Sequence, residues 1–505
     1  MCTLHASDIV CPSTLIITII TVTYINVYHI LYIVLHSYIC RQRTPCILLH
    51  AMEVCFLTSG ETLTVLDVEL QGQTVKAAKK ALAAKVGISR FKQRFFAEDG
   101  SHEIQDDEVL ALPPLKIQLV VLEFWPPDDE EAQKIISASR DNDLLALEQL
   151  LQRPQNPNEA QNDGKTPLFH AAEQGHVQLM EVLLEAGAKT DEPEFTWGQT
   201  PIFAAAENGH LDVVRFLAEN GALKDQADNW GRTPLWSAAR HGHLDVVRFL
   251  VEVGAAKDHA DYTGATPLNV AAYSGHLDVA KFLVKVGAAE DQADYTGVTP
   301  LVMAVQEGHL DVVRFLVEVG ADKDRASNTG VTPLVMAAQH VHLDVVRFLV
   351  EVGADKDRAS NTGVTPVYMA AQNGRLEVVR FLVEVGADKD QASKTGATPV
   401  YMAAQHGHLN VVRFLVEAGA DKYQAANDGA TPLLVAAENG HLDVVRFLVE
   451  VGADKDQASN TGATPVYMAA QRGHLNVVRF LVEVGADKDP PANMPLLRTR
   501  TGMER

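Results

Sequence analysis

Histidine is the side chain in this chain whose type and spacing most suggest chemistry. His176, His210, His243, His276, His309, His342, His408, His441 and His474 recur at a nearly constant interval, most of them in a Gly-His-Leu corner. A column of imidazoles could hold metal ions. Ligands to one ion, however, must converge within about 4 Å of each other, while stacked helices lie about 8–10 Å apart. The spacing therefore predicts a structural role, each histidine helping to fix its corner. His102-Glu103 opens like a zinc-binding H-E-x-x-H, but the fifth residue is Asp106. The sequence contains no phosphate-cradling glycine loop, no G-x-S-x-G and no Cys/His pair with a partner. It predicts no catalytic residue, metal or cofactor, no small-molecule substrate, and a protein that is not an enzyme.

Aromatic residues are the second set. Phe203, Trp236, Tyr368, Tyr401 and Tyr467 fall at one position of the recurring line. Two readings of this column stay open, packing between units or a row of anchors on a groove, because aromatics serve both burial and interface hot spots. Trp197, Trp230, Tyr262 and Tyr295 fall in the polar connecting stretches, and Tyr273-Ser274 is one of several variable pairs before the corners, with Glu173-Gln174, Arg240-His241 and Glu438-Asn439. The net charge of −22 is a poor match for phosphate, which calls for Lys and Arg, so nucleic acid is not an expected partner. Acidity favours basic partners and solubility.

These residues ride on one returning line. A Thr-Pro pair brings proline to 167, 201, 234, 267, 300, 333, 366, 399, 432 and 465, with a first interval of 34 residues and 33 thereafter. A fixed period of that size marks stacked supersecondary units, none of which can bury its apolar face alone. Thr464 is placed to cap a first helix and Pro465 to open it. Gly473 suits a left-handed end, and Leu475, Val478 and Leu481 follow the spacing of a second helix. Val341 replaces the corner glycine in one unit, where a β-branched residue forced left-handed would cost about 1–2 kcal/mol.

The pattern resembles the ankyrin repeat, whose T-P-L-H-x-A-A-x-x-G-H line is approached at Thr166 to His176 and Thr233 to His243. The family's histidine after T-P-L is replaced throughout, by Phe169, Phe203, Trp236, Asn269, Val302, Val335, Tyr368, Tyr401, Leu434 and Tyr467, so its polar bond must be missing or substituted. The resemblance implies that partners contact the variable pairs and the tips. Units up to about residue 300 vary most and those from Leu301 on are near copies, which points to residues 166–300.

The rest of the chain divides by composition. All five cysteines fall in the first 55 residues, which fits neither a disulfide framework nor a metal site and points to a reducing cytosol for the folded part. Residues 1–51 are hydrophobic, and 15–34 form a mostly apolar run long enough to span a bilayer, followed by Arg41 and Arg43. Either this is a span that leaves the bulk cytoplasmic, or an extension upstream of a natural start at Met52. Residues 52–126 alternate and then turn helical in a ββαββ order that resembles the ubiquitin-like fold. No terminal Gly-Gly follows the last strand, so the resemblance implies a fixed docking module, offering Phe95, Phe96 and Val120 on its sheet. Lys76, Lys79, Lys80 and Lys85 are placed on the solvent side of its helix, a solvated face or a site for an acidic partner. Residues 127–131 are an acidic linker, 132–489 hold about eleven units including a degenerate first one, and 490–505 form a tail without a recognisable cap.

The expected fold is mainly α, a helical solenoid preceded by a small α+β domain. The expected function is a protein-binding scaffold or adaptor, cytoplasmic, with Trp197, Phe203, Trp230, Trp236, Tyr262 and Tyr273 as candidate contacts. A membrane-anchored adaptor and an adaptor for ubiquitin-dependent turnover are the alternatives.

Overall fold

A computed structural model describes the backbone of residues 52–56, 62–65, 74–86, 89–97, 103–108, 116–121, 129–153 and 155–487. The run at 15–34 lies outside these residues. Among the described residues no helix is long and apolar enough to cross a membrane. The chain divides into two compact units, the first built on residues up to 126 and the second on residues 127–151 and 155 onward.

In the first unit, strands β1 (Met52–Phe56), β2 (Thr62–Val65), β3 (Gln93–Ala97), β4 (Glu103–Ile104) and β5 (Lys116–Val121) form one sheet in the order β2-β1-β5-β3-β4. β1 runs parallel to β5, while β1/β2, β3/β5 and β3/β4 are antiparallel. Helix α1 (Val75–Val86) follows β2 and buries Val75 and Ala78. Lys79 departs from expectation. It is buried, and its ammonium bonds the Asp106 carboxylate at 2.7 Å and lies 5.5 Å from the Phe95 ring. Burial raises the Asp106 pKa, but the Lys79 hydrogen bond and charge outweigh it and hold the carboxyl below its ordinary value. Of the other three lysines, Lys80 is exposed, Lys76 is half-buried, and the side chain of Lys85 lies outside the described residues.

The second unit opens with α2 (Asp129–Arg140) and α3 (Leu144–Leu151), the degenerate first pair. Ten further pairs follow, from Pro167–Gln174 with Val177–Ala186 to Pro465–Arg472 with Leu475–Glu483. Each first helix starts as its sequence dictates. Thr464 is extended, its hydroxyl accepts the Tyr467 N–H at 3.3 Å, and Pro465 takes the first turn. Each second helix buries one stripe, in Leu211–Glu219 the fully buried Val213, Val214 and Leu217. From Ala272 to Ala486 these stripes and the alanines of the first helices form one continuous apolar core.

One corner is built differently. Gly473 ends its helix left-handed at φ 83°, and the His474 N–H reaches the Ala469 carbonyl at 2.8 Å. At Val341 the expected left-handed turn does not form. His340 turns extended instead (φ −92°, ψ 171°), and among the described residues Asn142 is the only non-glycine residue with positive φ. Avoiding the left-handed region spares a β-branched residue about 1–2 kcal/mol. It forgoes the bond from the His342 N–H to the Ala337 carbonyl, whose counterpart closes each of the other nine corners.

Candidate protein-interaction surface

The corner histidines stand one to a repeat along the stack. Among the described residues no group of His, Cys, Asp or Glu is placed to hold an ion. Nor do they act only on their own corners. The Nε2 of His441 bonds the Gln405 carbonyl at 3.0 Å, that of His408 the Gln372 carbonyl at 3.0 Å, and that of His309 the Tyr273 carbonyl at 3.0 Å, each in the preceding repeat. The ring lies over the preceding corner glycine, where a Cβ on Gly407 would come within 2.6 Å of His441 Nδ1. The histidines are struts between neighbours. A second cross-repeat ladder sets an arginine of one second helix over a phenylalanine of the next, at 4.6 Å for Arg347 and Phe381 and 4.8 Å for Arg413 and Phe447.

The aromatic column packs. Tyr368, Tyr401 and Tyr467 are buried, and burial, with Asp428 and Glu438 nearby, pushes the Tyr401 hydroxyl up to about 12. Phe203 and Trp236 are 1% and 4% exposed, so neither can anchor a partner at the surface. Trp236 also supplies a substitute for the missing histidine bond, its Nε1–H donating to the Ala265 carbonyl of the next repeat at 3.1 Å. In another repeat Asn269 forms a reciprocal cap with Thr266. Phe95 is wholly buried in the first unit and is likewise core. Phe96 lies on β3 and Val120 on β5, with side chains outside the described residues.

The tips differ. Each tip donates a backbone N–H to a carbonyl of the preceding one, as from Tyr262 to Trp230 at 2.9 Å and from Asn328 to Thr296 at 2.9 Å. On this constant frame Trp197, Trp230, Tyr262 and Tyr295 are exposed, as is Tyr273 before its corner. Trp197 and Trp230 touch, ring centroids 4.5 Å apart. Phe195 belongs to the same row and was missed in the sequence, because the extra residue of the 34-residue interval shifts it out of register. Apart from Tyr423, every strongly exposed aromatic among the described residues lies between 195 and 295.

A solenoid of capped helix pairs with variable tips defines a class of recognition protein, and the comparison with known families agrees. Residues 135–228, 220–294, 287–360, 356–426 and 422–492 match the family described as ankyrin repeats (3 copies). The chain belongs to the ankyrin-repeat family. No curated protein matches it. Repeats of this family generally mediate protein–protein interaction and are typically non-enzymatic.

Proposed function

We propose that this chain is a non-enzymatic scaffold that binds a protein partner through the groove and tips of residues 166–300, with the N-terminal unit acting as a second docking module. The concentration of exposed aromatics between 195 and 295, on a frame that does not change along the array, carries this reading. The fold does not need them there. At the position of Tyr262 and Tyr295 asparagine serves at 328, 361, 427 and 460, its Nδ2 bonding the preceding tip at 2.9 Å. At the position of Trp197 and Trp230 the next tips carry Thr263 and Thr296. Trp197, Trp230, Tyr262 and Tyr273 are the proposed contacts; truncating a buried hot-spot residue costs about 2 kcal/mol or more.

The ubiquitin-like reading of residues 52–126 is part of the proposal. It is supported by the strand order β2-β1-β5-β3-β4 with β1 parallel to β5 and one helix between the hairpin and β3. In this reading the module brings whatever recognises its sheet, including components of ubiquitin-dependent turnover, to the protein held by the repeats. Pull-downs from cells test both halves. Trp197→Ala with Trp230→Ala should lose one set of proteins and deletion of residues 52–124 a different set. An interactome that survives both changes but disappears when residues 301–486 are removed would place the binding surface in the other half.

A further inference from the structure

Trp197 and Trp230 hold the same position on neighbouring tips, and their rings touch, 4.5 Å apart and tilted by 34°. The next tips carry Thr263, Thr296, Thr329, Thr362 and Thr395 there, so the fold does not call for an indole. The backbone groups of both tryptophans are already paired. The Trp197 N–H bonds the Glu194 carboxylate and the Trp230 N–H bonds Asp228 Oδ1 at 2.9 Å. Their carbonyls accept the Asn229 and Tyr262 N–H groups at 2.8 and 2.9 Å. Arg232 steadies the second ring, its guanidinium 4.5 Å from the Trp230 ring centre and its Nε donating to Asp228 Oδ2 at 2.7 Å. The indole N–H groups are different. That of the buried Trp236 donates to the Ala265 carbonyl, whereas those of Trp197 and Trp230, 48% and 40% exposed, have no partner among the described residues. The pair is a fixed apolar ledge whose side chains offer two donors and no acceptor.

We infer that this ledge docks a proline-rich segment of the partner in the polyproline II conformation. This deepens the scaffold reading above and rests on it. Such a segment has no internal hydrogen bonds, so its carbonyls are free to accept from the indoles. Its prolines bring no N–H that the ledge would leave unpaired, and their rings pack on aromatic faces. The segment is also extended before it binds, which lowers the cost of ordering it. Other ligands fit less well. A helix has its carbonyls bonded internally, and an added strand would need backbone groups that these tips have already paired. A cationic side chain would repeat the contact that Arg232 makes with Trp230, and an acidic segment would approach a chain of net charge −22.

The test uses the full chain and fluorescence anisotropy with a labelled decaproline peptide, beside a glycine-serine decapeptide as the flexible control. Decaproline should bind and the control should not. Trp197→Ala with Trp230→Ala should abolish measurable binding. Trp197→Phe with Trp230→Phe, which keeps two flat rings but removes both donors, should weaken it about fivefold or more. Tyr423→Ala, which removes an exposed aromatic elsewhere, should leave affinity within about twofold. In proton–nitrogen correlation spectra, the indole signals that disappear in the phenylalanine variants should be those that decaproline shifts. Thermal melts confirm folding of each variant. Undiminished affinity in the double alanine or the double phenylalanine variant, or no binding of decaproline at millimolar concentration, would overturn the inference. So would a full chain that self-associates through the two tryptophans, which would put a second copy on the ledge. If decaproline fails while Trp197→Ala with Trp230→Ala still loses cellular partners, the scaffold reading stands with a partner of another chemistry.

Discussion

Val341 and Arg375 are a pair, although they lie in different repeats. In the other Thr-Pro repeats the corner residue is glycine, and a following repeat lays a histidine ring against it, as His441 does on Gly407. A side chain at the corner and a ring in the following repeat compete for the same space. Among the ten Thr-Pro repeats, the one with a side chain at its corner is followed by the one whose histidine is replaced, by Arg375. In the degenerate first pair the corner residue is Asn142, held left-handed, and His176 still reaches the Arg140 carbonyl. The flexible arginine still reaches back, its Nε donating to the Gln339 carbonyl at 3.3 Å. Val341→Gly should let the corner turn left-handed and regain its closing bonds. Two backbone bonds at about 1 kcal/mol each, less about 1 kcal/mol for the freedom of glycine, leave a net gain of about 1 kcal/mol. Arg375→His alone should destabilise by crowding Val341, yet be tolerated once residue 341 is glycine. A double-mutant cycle by chemical denaturation would read this as a coupling of about 1 kcal/mol. Additive effects would show that the two positions are independent.

At the scale of the helix pair, the struts make the array sensitive to acid. His276 and His408 have lowered pKa values, first through burial, then through neighbouring cations: His241, His243 and His309 around the former, His406, His441 and Arg375 around the latter. Their bonds to the Arg240 and Gln372 carbonyls act in the opposite direction without cancelling the shift. A histidine whose folded pKa is depressed binds its proton more readily unfolded, so its contribution is present above the ordinary value near 6.5 and is lost as pH falls through it. The melting temperature should drop between pH 7 and pH 5.5, and His276→Gln with His408→Gln, which keeps an N–H donor, should flatten that drop. An unchanged slope would assign the acid response to other groups. The same scale explains what could be read from the sequence. Thr-Pro caps and glycine corners were legible because their partners lie within a few residues, and the corner at Val341 was located for the same reason. The histidine and arginine ladders were not, since each joins residues more than thirty apart whose proximity exists only after stacking. The burial of Lys79 escaped notice because its partner Asp106 lies 27 residues away, across a turn the helix pattern does not encode.

For the molecule as a whole, a solenoid is held by contacts between neighbours, so a repeat is only as stable as the surfaces on both of its sides. The pairs Pro399–Gln405 with Leu409–Glu417 and Pro465–Arg472 with Leu475–Glu483 are nearly identical in sequence, but only the first has described repeats on both sides. The difference is visible in their packing. Val412 is fully buried while its counterpart Val478 is half-buried, and Leu475 is 59% exposed where Leu409 is half-buried. Arg413 stacks on Phe447 of the next repeat, whereas no ring of a following repeat is described for Arg479. Corner Gly407 is covered by His441, while a Cβ on Gly473 would meet nothing within 4 Å. Amide hydrogen exchange should therefore run faster in residues 464–486 than in 398–420, with the largest contrast in the second helices, because opening the terminal pair breaks one interface and opening the internal pair breaks two. Equal protection of the two segments would mean that residues beyond 487, or a second chain, cover the face of Leu475 and Val478.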